Sequence, residues 1–245
     1  MLYLIASYPK SGNTYVRIFL AAYLRGHHEL KDVGFPLYCS TYYFPQGFPL
    51  DRSECRPVCR HPLNFAKTHE VSDFYYPETA EKALYLVRNP LDVCPSWANH
   101  CMTTNAESVA ALGRSTTLKQ TPGKIFPQYI GTWSENVESW LFRSRIPVRA
   151  VKYEMLKSNP RRAFKIILDW FGLPFDSKRF DDALAYSDFS NLQKLEEKTG
   201  FRESRGREGF FRKGETGSWR GSLTFSEAAQ IYADHGPMMR RLGYS

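Results

Sequence analysis

Two short apolar runs in this chain each break abruptly into a polar turn and pass at once into a helical pattern. Leu2–Ala6 leads into Ser7-Tyr8-Pro9-Lys10-Ser11-Gly12-Asn13-Thr14-Tyr15-Val16-Arg17 and then into the amphipathic run Arg17–Leu24. Lys82–Val87 (KALYLV) leads into Arg88-Asn89-Pro90-Leu91-Asp92-Val93-Cys94-Pro95-Ser96-Trp97, with helical character through about His100. Further strand signals lie at Asn64–Thr68 and Pro147–Lys152, the latter followed by a helix from about Pro160 to Phe171. Strands separated by helices predict parallel βαβ units, which place ligands at the carboxyl ends of the strands. The chemically suggestive residues all fall at such ends.

The rest of the chain is less regular. Ile130–Phe142 spaces Trp133, Val137, Trp140 and Leu141 as one amphipathic helix, its tryptophans expected in the core. Ser226–Arg241 reads as a last helix. Residues 32–62 are rich in Pro, Tyr, Phe and Cys. Residues 103–124 are polar, with a helical piece near Ala106–Leu112, and residues 200–214 are basic and glycine-rich. Long irregular loops of this kind often wall substrates or close over them.

The loop between Ser7 and Arg17 speaks for an anion. A turn that enters a helix exposes backbone N–H groups, and the helix dipole favours negative charge there. Lys10 adds a point charge, and Ser11 and Thr14 add hydroxyl donors. The order differs from the usual P-loop, since Lys10 precedes Gly12 and no glycine lies upstream. A polar turn capping a helix would share these features.

The 245 residues suffice for one sizeable core. A net charge of +8 suits an anionic ligand. It would also suit nucleic acid, but no helix-turn-helix spacing, zinc-finger spacing or RNP-like aromatic run is present, so no nucleic-acid partner is expected. The opening apolar run is too short for a signal peptide or a membrane span, and no later segment is long and apolar enough to span, so a cytoplasmic protein is expected. Five cysteines with irregular spacing (39, 55, 59, 94 and 101) do not suggest a disulfide framework. Cys55, Cys59 and His61 lack a convincing fourth ligand for zinc.

Four segments in order — the loop at 7–17, Phe65-Ala66-Lys67-Thr68-His69, the turn at 88–97, and Phe211-Arg212-Lys213-Gly214-Glu215-Thr216-Gly217-Ser218-Trp219 — resemble the cytosolic type of PAPS-dependent sulfotransferase. The resemblance runs from about Leu2 to Trp219. It implies one P-loop-like α/β domain over residues 1–245, with a central parallel sheet flanked by helices. The implied donor is 3′-phosphoadenosine 5′-phosphosulfate (PAPS), the product is 3′,5′-ADP, and no metal is required.

By the same resemblance, Lys10 and the backbone of Ser11, Gly12, Asn13 and Thr14 wrap the 5′ phosphate. Lys10 also stabilises charge on the bridging oxygen as the bond breaks. Arg88 and Ser96 hold the 3′ phosphate, and Arg212, Lys213 and Gly214 close over it. Arg88 could instead pair with Asp92, and Arg212-Lys213 could be a solvated loop. Tyr15, where many members carry Trp, and Phe189 form the adenine walls, and Tyr153 reaches the base; Phe189 or Tyr153 could instead be core.

On the acceptor side His69 matches the family's catalytic Lys-x-His and acts as general base, with Lys67 on the transferring oxygens and Glu70 as a rival base. The acceptor is expected to be a small hydroxylated molecule. Phe35, Tyr38, Tyr42, Tyr43, Phe44 and Phe48 could wall an apolar or aromatic one, or form a loop mini-core. The chain departs from the family at Ser218, where Asp is common, and at Ala229, where a short dimerisation motif ends in Glu. Oligomeric state stays open. Two rival functions are a P-loop-like nucleotide kinase or NTPase and a PAPS- or 3′,5′-ADP-binding protein without transfer.

Overall fold

The computed structural model describes residues 2–25, 64–74, 80–118, 128–201, 209–212 and 214–244. Strands β1 (Leu2–Ser7), β2 (Asn64–Thr68), β3 (Lys82–Val87) and β6 (Val148–Lys152) form one sheet in the order β2-β1-β3-β6. Every pairing in it is parallel. The run KALYLV is apolar without alternation because both faces of a parallel sheet are covered. Tyr3, Ile5, Leu84 and Leu86 point into one cluster, while Leu4, Ala6, Tyr85 and Val87 point into the other.

Helices α1 (Asn13–Arg25), α5 (Tyr153–Ser158), α6 (Pro160–Phe171), α7 (Ser177–Ser187) and α8 (Phe189–Thr199) supply residues to the first cluster. Helices α2 (Pro90–Cys101), α3 (Asn105–Leu112), α4 (Trp133–Phe142) and α9 (Phe225–Arg241) supply the second. Proline stands in the first turn of α2 and α6, where its missing N–H costs nothing, and Gly172 at φ 66° ends α6. Thr104/Glu107, Thr132/Glu135 and Thr224/Glu227 form reciprocal capping boxes on α3, α4 and α9.

The expected strands and helices are found within a residue or two, with one correction. Residues 130–142 are not one helix. Gln128–Gly131 is strand β5, antiparallel to β4 (Thr116–Leu118), and the Thr132 box starts α4 only at Trp133. Helices α7 and α8 and the β4–β5 pair add to what the sequence patterns predict. Residues 32–62, with their aromatics, Cys39, Cys55, Cys59 and His61, lie outside the described residues.

From β1 the chain goes to β2 on one side and then crosses to β3 on the other. The carboxyl ends of β1 and β3 therefore flank a point where strand order reverses, the crevice such sheets use for ligands.

Candidate functional site

The turn after β1 is held in an uncommon backbone shape. Lys10 has φ 67°, a left-handed value that costs a side-chain-bearing residue about 1 kcal/mol or more. Gly12 follows at φ 95°, and a Cβ there would lie 2.7 Å from Cδ2 of Tyr153. Only glycine fits, both for its φ and for the ring packed against it. The Gly12 carbonyl accepts from Val16 N at 3.2 Å, which starts α1 and leaves the amides of its first turn facing the loop.

Side chains lock this turn from inside. Asn13 Nδ2 donates to Ile5 O at 2.9 Å and to Ser7 Oγ at 3.3 Å. Arg17, fully buried, donates from Nε to Asn13 Oδ1 at 3.0 Å and from a terminal nitrogen to Thr14 Oγ1 at 2.9 Å. The Asn13 side chain is thus committed inward. Ser11 Oγ is buried with no hydrogen-bond partner among the described residues. The Lys10 ammonium lies 4.0 Å from the centroid of Phe210.

His69 follows β2 and is 9% exposed. Its Nδ1 lies 2.7 Å from Ser7 O and 3.2 Å from Ser7 Oγ. A carbonyl can only accept, so Nδ1 carries the hydrogen and the neutral ring keeps its lone pair on Nε2. The backbone around His69 is pinned from α4 and β5. Its N–H donates to Gln128 Oε1, its carbonyl accepts from Asn136 Nδ2, each at 2.9 Å, and Glu70 O accepts from Trp140 Nε1 at 2.7 Å. Lys67 lies two residues before His69, and its side chain is buried.

Arg88 follows β3. It donates to Lys10 O at 3.1 Å and to Glu215 O at 3.0 Å, and its guanidinium carbon lies 4.2 Å from the Tyr153 ring centroid. Its Nε is buried and has no partner among the described residues. Arg88 does not take Asp92 as its partner. Asp92 accepts from Gly217 N at 2.7 Å and from Trp219 N at 3.1 Å, so it holds the 217–219 turn instead. Trp133 Nε1 donates to Arg88 O at 3.2 Å, and Glu154 Oε1 accepts from Asn89 N at 3.0 Å.

The other expected residues gather unevenly. Tyr15 packs edge-on against Phe164 at 5.2 Å, half-buried. Burial pushes its phenol well above the ordinary tyrosine range, as it raises that of Tyr153. Phe189 is the first residue of α8, and a Cβ on Gly214, at φ 61°, would run into its ring. Arg212 offers its carbonyl to Gln193 Nε2 at 2.8 Å. Ser96 lies two turns into α2, half-buried, and its hydroxyl makes no hydrogen bond among the described residues. Lys213 and residues 202–208 lie outside the described residues. Phe201, Phe210 and Phe211 pack on one another, with centroids 4.9 to 5.4 Å apart, and Glu196 accepts from the amides of Phe210 and Phe211 at 2.8 and 2.9 Å.

Among the described residues no group of three or more His, Cys, Asp or Glu could hold a metal ion. None of the helices they form is long and apolar enough to cross a membrane.

Residues 3–243 match the family profile described as "Sulfotransferase domain". This chain belongs to the sulfotransferase family. Rat sulfotransferase 1A1 is 25% identical over 250 residues, covering 96% of this chain and 84% of that protein. Mouse sulfotransferase 2A6 is 28% identical over 174 residues, a match that spans 65% of this chain and 56% of that protein. The crystal structure of retinol dehydratase in complex with androsterone and the inactive cofactor PAP superposes with a TM-score of 0.65. It shares 18% sequence identity and covers 97% of this chain and 80% of that one. This sulfotransferase chain therefore has the sheet and flanking helices of that fold, and as a family member it is an enzyme of the sulfuryl-transferring class.

The sequence reading missed the residues that hold the site without facing a ligand: Ser7, Arg17, Gln128, Asn136 and Glu154. Gln128, Asn136 and Glu154 act on backbone groups, Arg17 on two side chains, and Ser7 on the side chains of His69 and Asn13. Ser7 and Arg17 stood in the motif, where an arginine four residues beyond Asn13 is in helical register with it.

Proposed function

We propose that residues 1–245 act as one sulfotransferase domain that moves a sulfuryl group from PAPS to a hydroxyl of a small-molecule acceptor. One observation carries this reading: a single turn ties the two halves of the site together. Ser7 O receives His69 Nδ1 and Lys10 O receives Arg88, so the candidate base and the candidate phosphate fork are built on one loop. Ser11 Oγ and Arg88 Nε, buried and without a partner among the described residues, are donors of the kind that a doubly anionic nucleotide would satisfy. The PAP-bound retinol dehydratase supports the donor class, and its androsterone supports a small hydroxylated acceptor.

PAPS supplies the activated sulfuryl group. Lys10, Ser11 Oγ and the amides of Ser11–Thr14 hold its 5′ phosphate, where the helix N-terminus favours negative charge. Thr14, whose oxygen accepts from Arg17, meets the phosphate as a donor. Arg88 spends one hydrogen bond on each flanking loop and turns its remaining donors, with Ser96 and Arg212 to Gly214, to the 3′ phosphate. Tyr15 and Phe189 flank the base. His69 Nε2 takes the acceptor's proton as the acceptor oxygen bonds to sulfur and the bridging sulfur–oxygen bond breaks, its electrons leaving on the phosphate oxygen. Lys10 neutralises that oxygen, and Lys67 the sulfuryl oxygens.

The test is calorimetric titration in EDTA with 3′,5′-ADP and with ATP. The nucleotide with a 3′ phosphate should bind at least roughly tenfold more tightly, a gap of about 1.4 kcal/mol. Equal affinities, or tighter binding of ATP, would refute the reading.

A further inference from the structure

Lys157 lies outside every motif that carries the family resemblance, yet it stands in the middle of the candidate donor site. It is four residues beyond Tyr153 on α5, so the two side chains share one helix face. Tyr153 backs the Arg88 guanidinium at 4.2 Å. One turn further, the half-buried Lys157 puts its ammonium 4.6 Å from the centroid of Phe189 and 5.9 Å from that of Tyr15. These are the two rings that the proposed function assigns to the adenine. The Phe189 ring in turn fills the space beside Gly214, next to Glu215, whose carbonyl binds Arg88.

Lys157 therefore neighbours the same groups: its ammonium faces Phe189 and feels the charges of Arg88 and Glu215. Among the described residues it makes no ion pair. The ammonium is partly desolvated on aromatic faces, with the Arg88 cation and the Asp188 and Glu215 carboxylates in its field, but no carboxylate among the described residues is in direct contact with it. Burial pushes its pKa below the ordinary lysine value, Asp188 pulls it back up, Arg88 pushes it down, and Glu215 pulls it up. An anion between Lys157 and Arg88 would relieve the desolvation and repulsion at both.

We propose that Lys157 is a further binding residue of the donor site, a cation that leaves its seat on the Tyr15 and Phe189 rings to the purine and pairs with the 3′ phosphate beside Arg88. The inference rests on the donor-site reading and deepens it. It makes the same side chain responsible for two things, occupying the base slot in the free protein and selecting nucleotides that carry a 3′ phosphate. A neutral side chain of similar length would keep the packing and lose the selection.

The experiment titrates 3′,5′-ADP and 5′-AMP into the wild-type chain, Lys157→Met and Lys157→Arg, with melting temperatures to verify folding. Lys157→Met should weaken 3′,5′-ADP by about tenfold and change 5′-AMP by less than about threefold, and Lys157→Arg should restore most of the difference. An equal loss for both nucleotides would make Lys157 a structural residue, and unchanged or tighter binding of 3′,5′-ADP would make it only a plug in the slot. Either result overturns the proposal. A wild-type chain that does not prefer 3′,5′-ADP instead defeats the donor-site reading itself, and the role of Lys157 falls with it.

Discussion

His69→Ala lowers sulfuryl transfer by roughly a hundredfold or more and leaves the affinity for 3′,5′-ADP nearly unchanged. The expectation follows from what the ring touches. Its Nδ1 donates to Ser7 O at 2.7 Å, which orients the imidazole and puts the lone pair on Nε2. Gln128 and Asn136 hold the backbone on both sides of the ring, so the position is rigid before any acceptor arrives. Alanine removes the proton acceptor and the bond to Ser7 O at the start of the loop, but keeps the bonds from Asn13, Arg17 and Arg88 that shape the Lys10 turn. Glu70 is the control. Its carbonyl is anchored by Trp140 and its carboxyl is the neighbouring candidate base. Turnover that survives His69→Ala and disappears in Glu70→Ala reassigns the base. The readouts are initial rates at saturating donor and a calorimetric titration of each variant.

Arg88→Ala weakens 3′,5′-ADP by about a hundredfold and 5′-AMP far less. A charge-assisted fork to a phosphate contributes on the order of 1.5–3 kcal/mol, and this is the arginine whose Nε is buried without a partner among the described residues. The substitution also removes the bonds to Lys10 O and Glu215 O, so some loss of melting temperature accompanies it. Arg88→Lys separates the two effects. It restores charge without the planar fork, and should bind 3′,5′-ADP with intermediate affinity. Equal weakening of both nucleotides in Arg88→Ala would show that Arg88 only braces the loops.

The sheet was legible because its strands are unmistakable. LYLIAS and KALYLV are six-residue apolar runs that end in turn chemistry, and Pro160 and Gly172 bracket α6 where the pattern places it. The start of α4 was misread although its signal was present. Thr132 and Glu135 spell a capping box, and the apolar Ile130 upstream, which belongs to β5, had extended the helical pattern past it. Helix α7 escaped notice because its exposed face carries Lys178, Arg179, Asp181 and Asp182, leaving Phe180, Ala183 and Tyr186 as sparse apolar contacts.

The site divides in the same way. Lys10, Gly12, His69 and Arg88 were legible because each stands in a local pattern at the end of a strand. The bonds from Gln128 and Asn136 to the His69 backbone, and from Trp133 to Arg88 O, join positions 45 to 67 residues apart through main-chain atoms. No side-chain pattern encodes such a partner. Trp133 and Trp140 are core residues, as their spacing suggested, and each also spends its indole N–H on the backbone of the site.

The most direct measurement is transfer of label from sulfur-35 PAPS to a pool of hydroxylated small molecules, with EDTA present and His69→Ala and Lys10→Ala in parallel. The account predicts acceptor-dependent formation of labelled product by the wild-type chain, stoichiometric release of 3′,5′-ADP, and a loss of roughly a hundredfold or more in His69→Ala. Tight binding of 3′,5′-ADP with no labelled product across the pool, or transfer that is indifferent to His69, would contradict it.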